Sequence, residues 1–145
     1  MYQQMIFVNL ATADVEASRR FFTELGYTIN PQFSTDDCVC VTISDTIVAM
    51  LLSRQHYATF TTKEIVDSAK SSEVLVCLSA ESREKVDELA EKAITAGGTA
   101  SGTPQDHGHM YGRAFDDLDG HTFEIMHMDL EAAMASMPQP EGAAA

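Results

Sequence analysis

The strongest constraint on this chain is that its pattern occurs twice, offset by about 68 residues. Met5-Ile6-Phe7-Val8-Asn9-Leu10 is an apolar run of strand length, followed by helical spacing from Asp14 to Leu25 and then Gly26. Val74-Leu75-Val76-Cys77-Leu78 is a second such run, followed by helical spacing from Ser82 to Ala96 and then Gly97-Gly98. Each unit continues into short β-rich segments that end at Leu52 and at Met128. A strand-helix-strands unit used twice predicts an α+β fold of two tandem βαβββ modules. Their partly closed, mixed sheet encloses one cavity, with the helices outside, and the cavity wall is where function is sought.

Local chemistry sets the element boundaries. Asp14 is a good N-cap, Glu16 sits in the first turn where the helix dipole favours it, and Gly26 is a natural stop. Between them Val15, Ser18, Phe21, Phe22 and Leu25 form one helical face. Strands are expected over Tyr27 to Phe33, interrupted by Pro31, and over Cys38 to Ile43 and Thr46 to Leu52, joined by a turn at Ser44-Asp45. Residues 53–61 read as loop, and Thr61-Thr62-Lys63-Glu64 as a capping box opening a short helix to Lys70 that bridges the modules or covers the cavity. In the second module, a short strand is expected over Ala100 to Thr103. Further strands cover Met110 to Phe115 and His121 to Met128, joined through the tight-turn signal Asp119-Gly120. Asp129 caps a final helix through Met134. The organisation is one domain over 1–135, with modules at 5–52 and 73–128, a linker at 53–72 and a disordered tail at 136–145.

Charge and composition narrow the partners. The net charge of −13, from 22 acidic and 9 basic residues, repels nucleic acid and anionic membrane. No apolar run approaches the roughly 18 residues that a membrane helix needs, and MYQQMIFVNL lacks the pattern of a signal peptide, so a cytoplasmic location is expected. Cys38, Cys40 and Cys77 have no CxxC spacing and read as reduced packing residues.

Asp14-x3-Ser18-x2-Phe21-Phe22-x2-Leu25-Gly26-Tyr27 resembles the first-helix signature of the vicinal oxygen chelate superfamily, which includes lactoylglutathione lyase, bleomycin-resistance proteins and extradiol dioxygenases. Asp117-Leu118-Asp119-Gly120-His121-x2-Glu124 resembles its Asp-Pro-Asp-Gly turn and closing strand, with Leu118 in place of the usual Pro. The resemblance implies paired βαβββ modules, a homodimer, and a cavity built within one chain or shared across two. It also implies metal ligands on the inward face of the first and last strand of each module. Those positions fall here on Phe7, on Leu75, on Ala49 (or Met50 if the register slips by one) and on Glu124. Three apolar side chains cannot complete a shell of oxygen and nitrogen donors, so the usual metal site is expected to be missing and no cofactor is expected.

The remaining chemical residues are weighed individually. Glu124 is the candidate catalytic group, a cavity carboxylate suited to acid–base work, or else the ion-pair partner of Arg113. Arg113 is suited to a ligand carboxylate or phosphate, and Tyr111 shares its strand face. His109, with His107 in a His-Gly-His loop, offers imidazole. Asn9 shares the inward face of Phe7, and Met50 suits an adaptable apolar pocket. The expected function is binding of a small, partly apolar molecule, as in bleomycin-resistance proteins. The alternative is a metal-dependent lyase or dioxygenase-like enzyme using Glu124 with a relocated metal.

Overall fold

In the computed structural model of the protein, described for residues 1–138, both units fold as the repeat predicts. The first comprises β1 (Ile6–Thr12), α1 (Val15–Glu24), β2 (Thr28–Ile29), β3 (Cys38–Thr42) and β4 (Ile47–Ser53). A single turn, α2 (Arg54–Tyr57), leads into the linker. The second unit comprises β5 (Val76–Ser79), α3 (Arg83–Thr95), β6 (Thr99–Ala100), β7 (Gln105–Asp106), β8 (Met110–Asp116) and β9 (Thr122–Met128), followed by α4 (Leu130–Ser136). The first sheet runs β1-β4-β3-β2 and the second β5-β9-β8-β6, with β7 also on β8. In each, the unit's first strand pairs in parallel with its last, and the other pairs are antiparallel.

Helix capping follows the side chains. Asp14 accepts from the Ala17 N–H at 3.0 Å and Ser82 from the Lys85 N–H at 3.1 Å. Gly26 adopts φ 100°, a left-handed conformation that costs glycine little, and ends α1.

Several boundaries differ from the sequence expectation. The strand expected to Phe33 stops at Ile29, because Pro31 has a fixed φ and no N–H. A 3-10 turn over Pro31–Phe33 follows, capped by Asn30, whose Oδ1 accepts from the Gln32 N–H at 2.9 Å. The helix expected from Thr61 to Lys70 does not form. The Thr61 hydroxyl accepts from the N–H of Lys63 at 3.1 Å, a local turn that replaces the capping box. The loop expected from residue 53 begins instead as α2, with the Ser53 hydroxyl accepting from the His56 N–H at 3.1 Å. The expected tail starts inside α4 at Ser136, and from residue 139 onward it lies outside the described residues.

One apolar core joins the modules. The helix-covered face of the first sheet supplies Val39, Val41, Ala49 and Leu51, and that of the second supplies Leu78, Phe115, Phe123 and Ile125. Phe21 and Phe22 of α1 bridge them: Phe21 lies 6.2 Å from Phe115 and Phe22 lies 5.7 Å from Phe123, centroid to centroid. All four rings are about 1% exposed, and burying a side chain of this size is worth about 1.5–3 kcal/mol. The helix-covered faces therefore meet in one core, and the opposite faces are called front faces below. Among the described residues no helix is long and apolar enough to cross a membrane.

Candidate functional site

Strand alternation sorts the candidate residues by face. On the first sheet, Phe7 is opposite Val48 and Asn9 is opposite Met50, and these four lie on the front. Met50, not Ala49, is thus the last-strand residue on that face, because Ala49 belongs to the core. Farther along, Ala11, Leu52, Cys38 and Cys40 are buried, where α2 packs on β1 and β4 and the Pro31–Phe33 turn packs on β3. The edge strand is open, with Phe7 56% exposed. Burial pushes up the thiols of Cys38 and Cys40, so they stay protonated and pack as small apolar groups.

The second sheet has a front groove of about 340 Å³, within the range of small-molecule sites. Glu124 lies on its floor beside Cys77 and opposite Ala114. Leu75, Met110 and Met126 supply apolar wall, and Thr122 and Gln105 supply polar groups. Glu124 is half-buried. Packing around its sulfur and the nearby Glu124 carboxylate both push the Cys77 thiol up, so the groove holds a thiol rather than a thiolate. A second hollow, of about 220 Å³, lies between Asn9, Tyr57, the linker and His121.

Two of the residues singled out from sequence belong to the other face. Arg113 pairs across β8–β9 with Ile125, a core residue, and its guanidinium reaches α3, donating to Asp87 at 3.2 Å and to Glu91 at 2.8 Å. Tyr111 follows it, donating to Asp87 at 2.6 Å while Arg83 stacks 4.5 Å above its ring. The hydrogen bond from Tyr111, then that from Arg113, holds the Asp87 carboxyl below the usual range. Arg113 is therefore no partner of Glu124. Period-two alternation put Tyr111 and Arg113 on one face correctly, but residues 110–116 alone do not say which face carries the helix. His109 sits in the turn before β8, five residues from Ala114 and so roughly 15 Å along the strand from Glu124. That separation keeps the His-Gly-His loop apart from Glu124.

Among the described residues, the one cluster of three or more potential metal ligands is Asp117, Asp119 and His121, with ligand atoms all within 4.8 Å of one another. Asp117 and Asp119 lie in the expected turn, and His121, expected to open the last strand, falls one residue before β9 (Thr122–Met128). The Asp117 Oδ1 accepts from the N–H groups of Asp119 at 3.0 Å and His121 at 2.9 Å. Burial, only partly offset by His121, pushes the Asp117 carboxyl up to about 6.

Comparison with known proteins agrees with this architecture. A family model described as bleomycin resistance protein-like N-terminal matches residues 4–44. The structure of hypothetical protein SA1046 from S. aureus is 31% identical, with 88% of this chain and 94% of that one covered at a TM-score of 0.73. A glyoxalase/bleomycin resistance protein/dioxygenase family enzyme from Burkholderia phytofirmans PsJN is 19% identical, with 87% and 99% covered at a TM-score of 0.70. The fosfomycin resistance protein FosX from Listeria monocytogenes is 18% identical, with 90% and 98% covered at a TM-score of 0.63. At such identities the last two speak for fold alone. No curated protein matches the chain.

Proposed function

We propose that the chain is a member of the vicinal oxygen chelate superfamily and that it binds a small, partly apolar molecule on its front faces without the superfamily's usual metal site. One observation carries the reading. Phe7, Met50 and Leu75 stand where the family resemblance calls for donors, and Glu124 is the single carboxylate among them. Hydrocarbon and thioether side chains suit an adaptable apolar wall, not a shell for a hard or borderline cation. Glu124, Thr122 and Gln105 then orient a polar end of the ligand.

The roof over these walls comes from a second copy of the chain. The helix-covered faces are already spent on the shared core. β1 and β5 are sheet edges flanked by exposed Ile6, Phe7, Val74 and Leu75. An open edge with an apolar patch favours pairing with another chain. A two-fold homodimer of this kind sets the first sheet of one protomer facing the second sheet of its partner, so each cavity is shared.

The neutral fluorophore N-phenyl-1-naphthylamine tests the reading. Saturable binding to the native protein is expected, weakened tenfold or more by Phe7→Glu combined with Leu75→Glu while circular dichroism stays unchanged. Non-saturable binding, or binding indifferent to both substitutions, would remove the front faces from the account. A second reading, an enzyme using Glu124 as acid or base, is favoured by the place of that carboxylate on the groove floor. It calls for turnover that Glu124→Gln abolishes.

A further inference from the structure

The ligand-binding reading leaves one buried group unexplained. Asp117 is 5% exposed, and its Oδ2 is buried without a hydrogen-bond partner, as is the Oδ2 of Asp119. A desolvated carboxylate oxygen left unpaired is costly, and two beside each other are costlier. We propose that Asp117, Asp119 and His121 hold one divalent transition-metal cation, such as Zn²⁺ or Mn²⁺, and that this ion ties the two modules together.

Three features support a built site. First, the other oxygens of both carboxylates are already fixed, leaving the two Oδ2 atoms for the ion. The Oδ1 of Asp117 takes two backbone N–H groups, and the Oδ1 of Asp119 accepts from the Ala13 N–H at 2.9 Å. Second, the His121 Nε2 lies 2.7 Å from the Ala11 carbonyl oxygen. A carbonyl only accepts, so Nε2 is the donor, and Nδ1 is the ring nitrogen left for the ion. A ring oriented through its other nitrogen by a backbone carbonyl is the usual support of a metal-binding histidine. Third, the turn is locked. The Asp119 carbonyl accepts from Ser68 at 2.6 Å, and a Cβ on Gly120 (φ 89°) would stand 2.7 Å from the Ser68 carbonyl oxygen.

An imidazole beside two carboxylates favours a transition-metal cation over Ca²⁺ or Mg²⁺, which take oxygen shells. The ligands sit between β8 and β9 of the second module, and their outer hydrogen bonds end on Ala11 and Ala13 of the first and on Ser68 of the linker. The ion is thus a structural tie, separate from the Glu124 groove.

The test uses the full chain stripped with EDTA, then titrated with Zn²⁺, Mn²⁺ or Ca²⁺ and followed by calorimetry, native mass and thermal midpoint. The expected result is about one Zn²⁺ or Mn²⁺ per chain, a midpoint higher by about 5 °C or more at saturation, and weaker Ca²⁺ binding. Asp117→Asn and Asp119→Asn each lower affinity at least tenfold, and Glu124→Gln leaves it unchanged. The wild-type titration stands even if one variant fails to fold. Negligible uptake with no midpoint change would overturn the proposal. Binding kept by both Asp variants but lost in Glu124→Gln would overturn it too, placing the ion in the groove.

Discussion

The two faces of each sheet are made from similar residues and put to opposite uses. On the helix-covered faces, Phe115 and Phe123 are about 1% exposed, whereas Phe7 and Leu75 on the front are 56% and 57% exposed. Apolar character alone thus does not identify the core of this protein. The difference lies in what each face meets. α1 brings Phe21 and Phe22 to both sheets at once, while among the described residues nothing covers the open end of β1. Stability resides where the modules share a core, and recognition is proposed where they do not.

The largest effect is expected from breaking the shared side. Phe22→Ala removes a ring packed edge-on against Phe123 and should cost about 3–5 kcal/mol in urea unfolding. The matching change on the open side, Phe7→Glu with Leu75→Glu, should leave the unfolding free energy of the chain within about 1 kcal/mol. It should instead dissociate the assembly, as sedimentation velocity would report. If both changes unfold the protein alike, the contrast between faces fails.

A smaller effect sharpens the comparison at the helix-covered face of the second module. The Arg113 side chain is 17% exposed, but its partners Asp87 and Glu91 are 50% and 64% exposed, which screens the pairs. Arg113→Met should therefore cost only about 1 kcal/mol at neutral pH. The folded Asp87 carboxyl lies below its unfolded value. Its contribution is therefore present above an unfolded pKa of about 3.9 and fades as pH falls through the lower folded value. The penalty of Arg113→Met should shrink in acid-side melts below about pH 4. The smallest effect on stability is expected from Glu124→Gln, within about 0.5 kcal/mol by urea unfolding. It should nonetheless change affinity for ligands that carry a hydrogen-bonding group, as measured by displacement of N-phenyl-1-naphthylamine.

The fold was legible in sequence because its signals are local and repeated. Asp14, Ser82 and Gly26 mark helix ends through their own chemistry, and Val15, Phe21 and Phe22 mark the face that packs. The departures also have local causes. Pro31 cut a strand short, and the Thr61 hydroxyl turned to Lys63, so no helix followed. The site was less legible because facing depends on tertiary structure. Phe7, Asn9, Leu75 and Glu124 fell on the front as alternation implied, but Tyr111 and Arg113 are claimed by Asp87 and Glu91, acids on a helix about 25 residues away in sequence. Nothing near Arg113 announces them. The Asp117 cluster was hidden in the opposite way. Its residues lie within five positions of one another and read as a turn running into a strand, and only their burial against Ala11, Ala13 and Ser68 leaves two carboxylate oxygens unpaired.

The most direct test of the central claim is the solution mass of the native protein across micromolar concentrations by sedimentation velocity. The account predicts a two-chain species that Phe7→Glu with Leu75→Glu converts to single folded chains. A wild-type protein that stays a single chain at tens of micromolar, yet binds N-phenyl-1-naphthylamine saturably, would contradict a cavity completed by a second copy.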